Sequence, residues 1–280
     1  ATLEQIESAR ARLGLDKPLP VQYGIFIRDV LHGNFGKSYI YGKPAMDLIF
    51  ERMPATLELV AVAACLVLCI AIPLGVYAGA YPKRASSKLI MSGSILGISL
   101  PSFWVGMMMI YIFAVVLRLL PASGRGNTVM VGNVALSIFA PGGIRYVILP
   151  AITLALTNVA TMLRLTRSGI LENMRQDYIK FARAKGVPAK SILFGHALKN
   201  ALIPVVTIFG MDLGNMIAFT TITETIFAWP GMGKLLIDAI NKSDRPIIVA
   251  YLMAAACMFV VLNFIVDILY TLIDPRIELR

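Results

Sequence analysis

The chain has 280 residues and a formal net charge of +10, yet only 15% of its residues are charged, 58% are hydrophobic, and the mean hydropathy is +0.75. Soluble domains carry roughly 25% charged residues, so a water-soluble fold is excluded and the lipid bilayer becomes the solvent for everything that follows. A charge of +10 would suggest nucleic acid in a soluble domain. Here the basic residues concentrate in one loop between apolar runs, which points to a membrane-flanking loop and to no nucleic-acid partner.

Residues 1–53 read as a small amphipathic segment. A helix ends near Gly14, a proline-bounded turn follows, and a second helix runs from Val21 to Leu31 with apolar residues at helical spacing. About 50 residues are too few for a large core of their own, so this segment is expected to lie against the membrane spans.

Residues 54–280 contain five apolar runs of the length, about 20 residues, that crosses a hydrocarbon core. They lie near residues 55–80, 89–120, 146–163, 201–223 and 248–273. The runs are continuous rather than alternating, which selects helices over barrel strands and an all-α, polytopic helical bundle as the fold. The second run is long enough to tilt or to continue beyond the bilayer. The third is the weakest, carrying Thr153, Thr157, Asn158 and Thr161. Pro73, Pro101, Pro150 and Pro204 read as helix starts or static kinks and receive no functional role.

Orientation follows from Lys and Arg in the connections. The link 81–88 holds Lys83, Arg84 and Lys88, and the link 164–200 holds eight basic residues, whereas the loop 121–143 has only Arg125. The two basic links are expected in the cytoplasm, which places residues 1–53 outside and the C-terminus inside. A chain that starts at Ala1 with an external segment implies a further helix upstream, so six spans are expected in the native subunit. The seven basic residues among the first 53 run against this scheme, although long segments follow the charge rule poorly.

Catalytic chemistry is absent from the sequence. Cys65, Cys69 and Cys257 lie inside apolar runs as small apolar groups. His32 and His196 fall on opposite expected sides of the membrane, so one chain cannot use both for a metal. No phosphate-cradling loop, HExxH or GxSxG occurs, and Gly124–Gly126 reads as a turn and nothing more. The chain is expected to be a non-catalytic subunit that binds no cofactor or metal.

The link 164–200 has more pattern than a basic loop needs. Asp177 to Lys185 reads as a helix, Gly186 ends it, and Pro188 opens a second helix towards His196 and Asn200. Small residues, including Ala182, Ala184 and Gly186, would allow another surface to approach. A hairpin docking a partner and a loop folded on its own bundle both fit this pattern.

"YIKFARAKGVPAKSILFGHALKNALIPVVTIFG", Tyr178 to Gly210, resembles the cytoplasmic EAA loop of binding-protein-dependent ABC importer permeases in its peptide and nickel form. "LGLDKPLPVQY", "PATLEL", "ETIFAWPGMGKLLIDAI" and "LNFIVDILYTLIDPRI" agree, and the resemblance spans nearly the whole chain. The Glu that the general pattern places six residues before its Gly is Lys180 here, as the peptide form allows. "SDRPII" from Ser243 departs from the family at an external loop.

The resemblance implies a type I ABC importer transmembrane domain in a bacterial or archaeal cytoplasmic membrane. It implies four kinds of partner: a homologous second permease subunit, two ATPase subunits holding ATP and Mg, an extracytoplasmic solute-binding protein, and the lipid bilayer. Ala182, Arg183, Ala184, Lys185, Gly186, His196 and Asn200 then become the expected contact with the ATPases. Di- or oligopeptides are the expected cargo, with nickel chelates, glutathione, opines and sugars as alternatives. A self-contained transporter or channel driven by an ion gradient is the rival reading.

For the pathway, an ionisable residue well inside a span is a functional candidate by its insertion cost of about 2.5 to 3.5 kcal/mol. Asp212 is that residue, with Asn215 on the same face. A structural partner for a neighbouring helix is the competing role.

Overall fold

The computed structural model describes residues 17–273, so the helix expected to end near Gly14 lies outside the described residues. Nine helices and one strand pair follow one another among the described residues. Helix α1 is Leu19–Leu31 and α2 is Ala45–Ala80. Helices α3, Ala85–Ser99, and α4, Ser102–Val116, come next, the last part of α4 being wound as a π-helix over Ile110–Val116. Strands β1, Val129–Val131, and β2, Val134–Leu136, pair antiparallel. Helix α5 is Ile144–Asn173, α6 is Asp177–Ala184 and α7 is Ala189–Ile226, which has a π-helical stretch at Ile192–Ala197. Helices α8, Met232–Asn241, and α9, Arg245–Ile273, complete the order.

Among them α2, α5, α7 and α9 are long and apolar enough to cross a bilayer, and α3 with α4 makes a fifth if the bent pair counts as one span. The run 89–120 is therefore not the single span its length suggests. It breaks between Ser99 and Ser102 by 105°. Proline disfavours the helical conformation of the residue before it, and Leu100 is extended at φ −89° and ψ 131°. Pro73, Pro150 and Pro204 remain inside continuous helices.

The core forms along α2 and α5. Ala55, Leu59, Ala63, Val67 and Ala71 recur every four residues on α2 and are all at most 1% exposed, facing Val147, Ala151, Leu154, Ala155 and Met162 of α5. Gly75 and Gly79 continue this stripe. A Cβ on Gly75 would stand 2.6 Å from Thr166 Cβ and 2.9 Å from the Leu163 carbonyl, and one on Gly79 would stand 2.7 Å from Ile170 Cβ. The helices touch there at backbone distance, as lipid-embedded helices do when small residues line the seam.

Buried carboxylates lock the end of the bundle that carries the strand pair. Glu58 accepts from Arg125 Nε at 2.9 Å and Nη2 at 2.5 Å, from Ser137 N at 2.6 Å and from Ile138 N at 2.6 Å. Arg125 also donates to the Ala135 carbonyl at 2.6 Å. The Gly124–Gly126 turn, expected to be a turn and nothing more, thus delivers the cation that neutralises a carboxylate only 2% exposed. Glu224 accepts from Thr56 Oγ1 at 2.6 Å and from Lys234 N at 2.9 Å, and Trp229 Nε1 donates to the Ala55 carbonyl at 2.8 Å. Asp244 accepts from Ser38 Oγ at 2.5 Å and ties the segment before α2 to the start of α9.

Two predictions test this framework. Gly75→Leu should overpack the α2–α5 seam and cost about 1 to 3 kcal/mol, lowering the melting temperature of the purified protein in detergent. Gly93→Leu, with nothing within 4 Å of an added Cβ, should leave it unchanged. Arg125→Ala should strand the Glu58 carboxylate and destabilise the fold by about 3 to 5 kcal/mol, with Arg125→Ala/Glu58→Gln recovering part of the loss in the same melting assay.

Candidate functional site

Two regions hold the residues singled out by sequence, at different depths of the bundle. The first is a cavity of about 360 Å³ between α5, α7 and the start of α4. Asp212, half-buried, and Asn215, exposed, lie one turn apart on α7 and both line it. Across from them α5 contributes Thr153, Thr157 and Thr161, spaced by four, together with Asn158. Ser102, Leu154, Met216, Phe219 and Thr223 complete the wall.

The α5 polar residues were legible only as a weakening of the third apolar run. Their spacing of four is the signal that could have placed them on one face. The break at Pro101 does the rest, because it starts a new helix at Ser102 beside the cavity. Asp212 is the one charged residue of this lining among the described residues.

The second region is the hairpin of α6 and the beginning of α7, at the opposite end of the bundle from the strand pair. Its inner face is apolar: Ile179, Ile192 and Ala197 are buried and pack with Val76 of α2, Ile170 of α5 and Ala201 of α7, with Ala182 and Val187 partly buried beside them. Gly186 terminates α6 with φ +76°, a conformation that favours glycine. Its N–H donates to the Arg183 carbonyl at 2.9 Å, and the Val187 N–H donates to the Ala182 carbonyl at 3.1 Å. Pro188 caps the following helix, which starts at Ala189.

The seven hairpin residues thus divide into two sets. Ala182 faces the bundle, and Asn200, though exposed, is engaged within the hairpin, its Nδ2 donating to Tyr178 Oη at 2.9 Å across the base. Arg183, Ala184, Lys185, Gly186 and His196 are exposed. Phe181 and Phe194 are 62% and 52% exposed, Phe181 with Lys185 Nζ over its ring at 4.5 Å and Phe194 beside Pro73, Tyr77 and Tyr81 of α2. Lys180 lies 2.8 Å from Asp177, and that hydrogen bond lowers the Asp177 carboxyl from its ordinary value. The sequence showed the hairpin and its small residues, but not that two aromatic rings would be left without cover in this chain.

Residues 71–279 match the family described as "Binding-protein-dependent transport system inner membrane component". The chain is 38% identical to the probable D,D-dipeptide transport system permease protein DdpB of Escherichia coli (strain K12), over 97% of this chain and 84% of that protein. It is 37% identical to the dipeptide transport system permease protein DppB of Alkalihalophilus pseudofirmus, over 99% and 87% of the two chains. To the oligopeptide transport system permease protein AppB of Bacillus subtilis (strain 168) it is 40% identical, over 95% and 83%. Among solved structures, an inward-facing conformation of the MetNI methionine ABC transporter shares the fold with a TM-score of 0.63 at 16% identity, covering 82% of this chain and 97% of that one. With several apolar spans, a matching family over three quarters of its length and relatives along nearly all of it, the chain belongs to the inner-membrane permease family of binding-protein-dependent ABC importers.

Proposed function

We propose that this permease forms half of a translocation pathway for di- or oligopeptides, with Asp212 and Asn215 lining that pathway and the α6–α7 hairpin receiving the motion of ATPase subunits. The observation that carries the reading is the α5–α7 cavity, where hydroxyl, amide and carboxylate groups of two apolar spanning helices collect around one open space. The printed names of the relatives, dipeptide and oligopeptide permeases, support the cargo class. A homologous second permease completes the pathway, two ATPase subunits hold ATP and Mg, and an extracytoplasmic binding protein delivers the cargo. This chain holds no cofactor of its own.

Coupling sets a physical demand on the hairpin. Moving a two-state equilibrium from 1:99 to 99:1 takes about 5.5 kcal/mol of differential binding, and ATP-driven closure supplies it only through a contact that transmits force. The exposed tip from Arg183 to Gly186, with the exposed Phe181 of α6 and His196 of α7, is that contact. Its buried face joins α2, α5 and α7 in one apolar cluster, so a displacement of the tip reaches three spanning helices.

Uptake by proteoliposomes containing the full complex tests the reading. Peptide import should require ATP and the binding protein and should persist when proton and sodium gradients are collapsed; the opposite dependence would establish an ion-driven transporter. Ala184→Trp and Gly195→Trp should leave assembly intact, because Ala184 is exposed and a Cβ on Gly195 meets nothing within 4 Å. Both should lose most binding-protein-stimulated ATP hydrolysis and import together. Gly186 is a poor test position, since any side chain would strain the turn at φ +76°.

The proposed orientation puts residues 17–53 outside and the hairpin in the cytoplasm of a bacterial or archaeal cell. Single cysteines replacing Ser123 and Asn241 should react with an impermeant thiol reagent added outside, and those replacing Ser86 and Lys190 only after it is admitted. External labelling at the Lys190 position would reverse the scheme.

A further inference from the structure

We infer that the α5–α7 cavity selects for a protonated amine, and that Asp212 is the residue which sets this preference; the inference rests on the cavity being part of the pathway. Two independent features of the wall point to it. The first is charge: among the described residues Asp212 is the one ionisable group in the lining, and no Lys, Arg or His shares the cavity. The second is the use of donors. Thr153 Oγ1 donates to the Leu149 carbonyl at 2.9 Å, and Thr161 Oγ1 donates to the Thr157 carbonyl at 3.2 Å.

A hydroxyl has one hydrogen to give. Once that hydrogen is turned back into the helix, only lone pairs are presented to a ligand. Asn158 gives one amide hydrogen to the Leu154 carbonyl at 3.3 Å, which leaves its carbonyl oxygen and its second amide hydrogen for other partners. Thr153 and Thr161 therefore present acceptors along the α5 wall, and they share the cavity with the Asp212 carboxylate of α7. A ligand group that suits such a wall carries several N–H donors and positive charge, as an N-terminal ammonium or a lysine side chain does.

The start of α4 at Ser102 works in the other direction, because a helix N-terminus carries about half a positive elementary charge. That is half the magnitude of the Asp212 carboxylate, so the cavity keeps a net preference for cations. A carboxylate or a neutral cargo group finds no full-charge partner there.

Charge-selective thiol chemistry on the assembled transporter reads this preference without relying on the binding protein. With Cys65, Cys69 and Cys257 replaced by alanine and Phe219→Cys placed in the cavity wall, the rates of modification by aminoethyl and hydroxyethyl methanethiosulfonate are compared. Adding Asp212→Asn should lower the cationic-to-neutral rate ratio about tenfold, the scale of one unit charge acting over on the order of 10 Å at an effective dielectric of about 20. In parallel, ATP-driven uptake of a lysine-containing peptide should fall more in Asp212→Asn than uptake of its alanine counterpart. An unchanged thiol rate ratio would overturn the inference even if peptides are imported, and so would failure of the Phe219→Cys thiol to react with either reagent. Loss of the rate ratio in a complex that imports no peptide would uphold cation selection and remove the peptide cargo instead.

Discussion

The approach of α2 to α5 is the constraint on which the rest of the molecule depends. Lipid tails are as apolar as leucine side chains, so burial of hydrocarbon supplies little drive to bring two spanning helices together, and close packing must do it. The four-residue repeat from Ala55 through Gly79 gives α2 one face of small and medium residues, and α5 meets it along most of its length. A helix of 36 residues is about 54 Å long at 1.5 Å per residue. One end of this rod therefore reaches Glu58 and the strand pair, while Val76 near the other end sits in the hairpin cluster.

That geometry explains why costly polar groups gather at one end. Burying a carboxylate is unfavourable unless its lone pairs are met, and Glu58, Glu224 and Asp244 each meet hydroxyl or backbone N–H donors from segments distant in sequence. Glu58 joins α2 to the loop before α5, Glu224 joins the end of α7 to α2 and α8, and Asp244 joins the start of α9 to the segment ahead of α2. Ala228 accepts a left-handed backbone, φ +45°, between Phe227 and Trp229, both buried. The strain of such a residue, of order 1 to 3 kcal/mol, is held in place by two rings that cannot leave without exposing the core. The end bearing the strand pair is thereby cross-linked by buried polar groups, whereas the hairpin end is held by apolar packing around Ile170, Ile179 and Ile192.

Much of this was legible because lipid leaves a sequence few options. Backbone groups must be satisfied within helices, so apolar runs located α2, α5, α7 and α9, and a Gly–Val–Pro break located the hairpin. Ends and bends were harder. Helix α2 starts at Ala45, ten residues before its apolar run, because Ala45, Leu48 and Ile49 pack against α8 and α9, a tertiary contact that hydropathy does not encode. Four prolines looked alike, yet only Pro101 separates two helices, since the choice between kink and break belongs to the neighbours. Arg125 was hidden for the same reason: its partner is 67 residues away.

The weakest apolar run proves to be the most enclosed of the four unbroken spans among the described residues. Over its most apolar stretch 56% of α5 is buried within the chain, against 22% of α9. Thr153 and Thr161 soften the cost of their hydroxyls by bonding back to their own helix, but the remaining polar atoms of Thr157 and Asn158 are better placed on a helix sheltered by α2, α3, α4 and α7, whose polar face opens on a cavity rather than on hydrocarbon. The dip in hydropathy at residues 146–163 is thus a consequence of position. Apolar α9 can face lipid, and polar α5 must be central. Centrality also places α5 in contact with both proposed working parts: Ile170 belongs to the hairpin cluster, and Thr161, about nine residues or 13 Å earlier along the same helix, lines the cavity. Under the proposed function a displacement of the hairpin would reach both walls of the cavity, α5 through Ile170 and α7 through Ala201, without any further element.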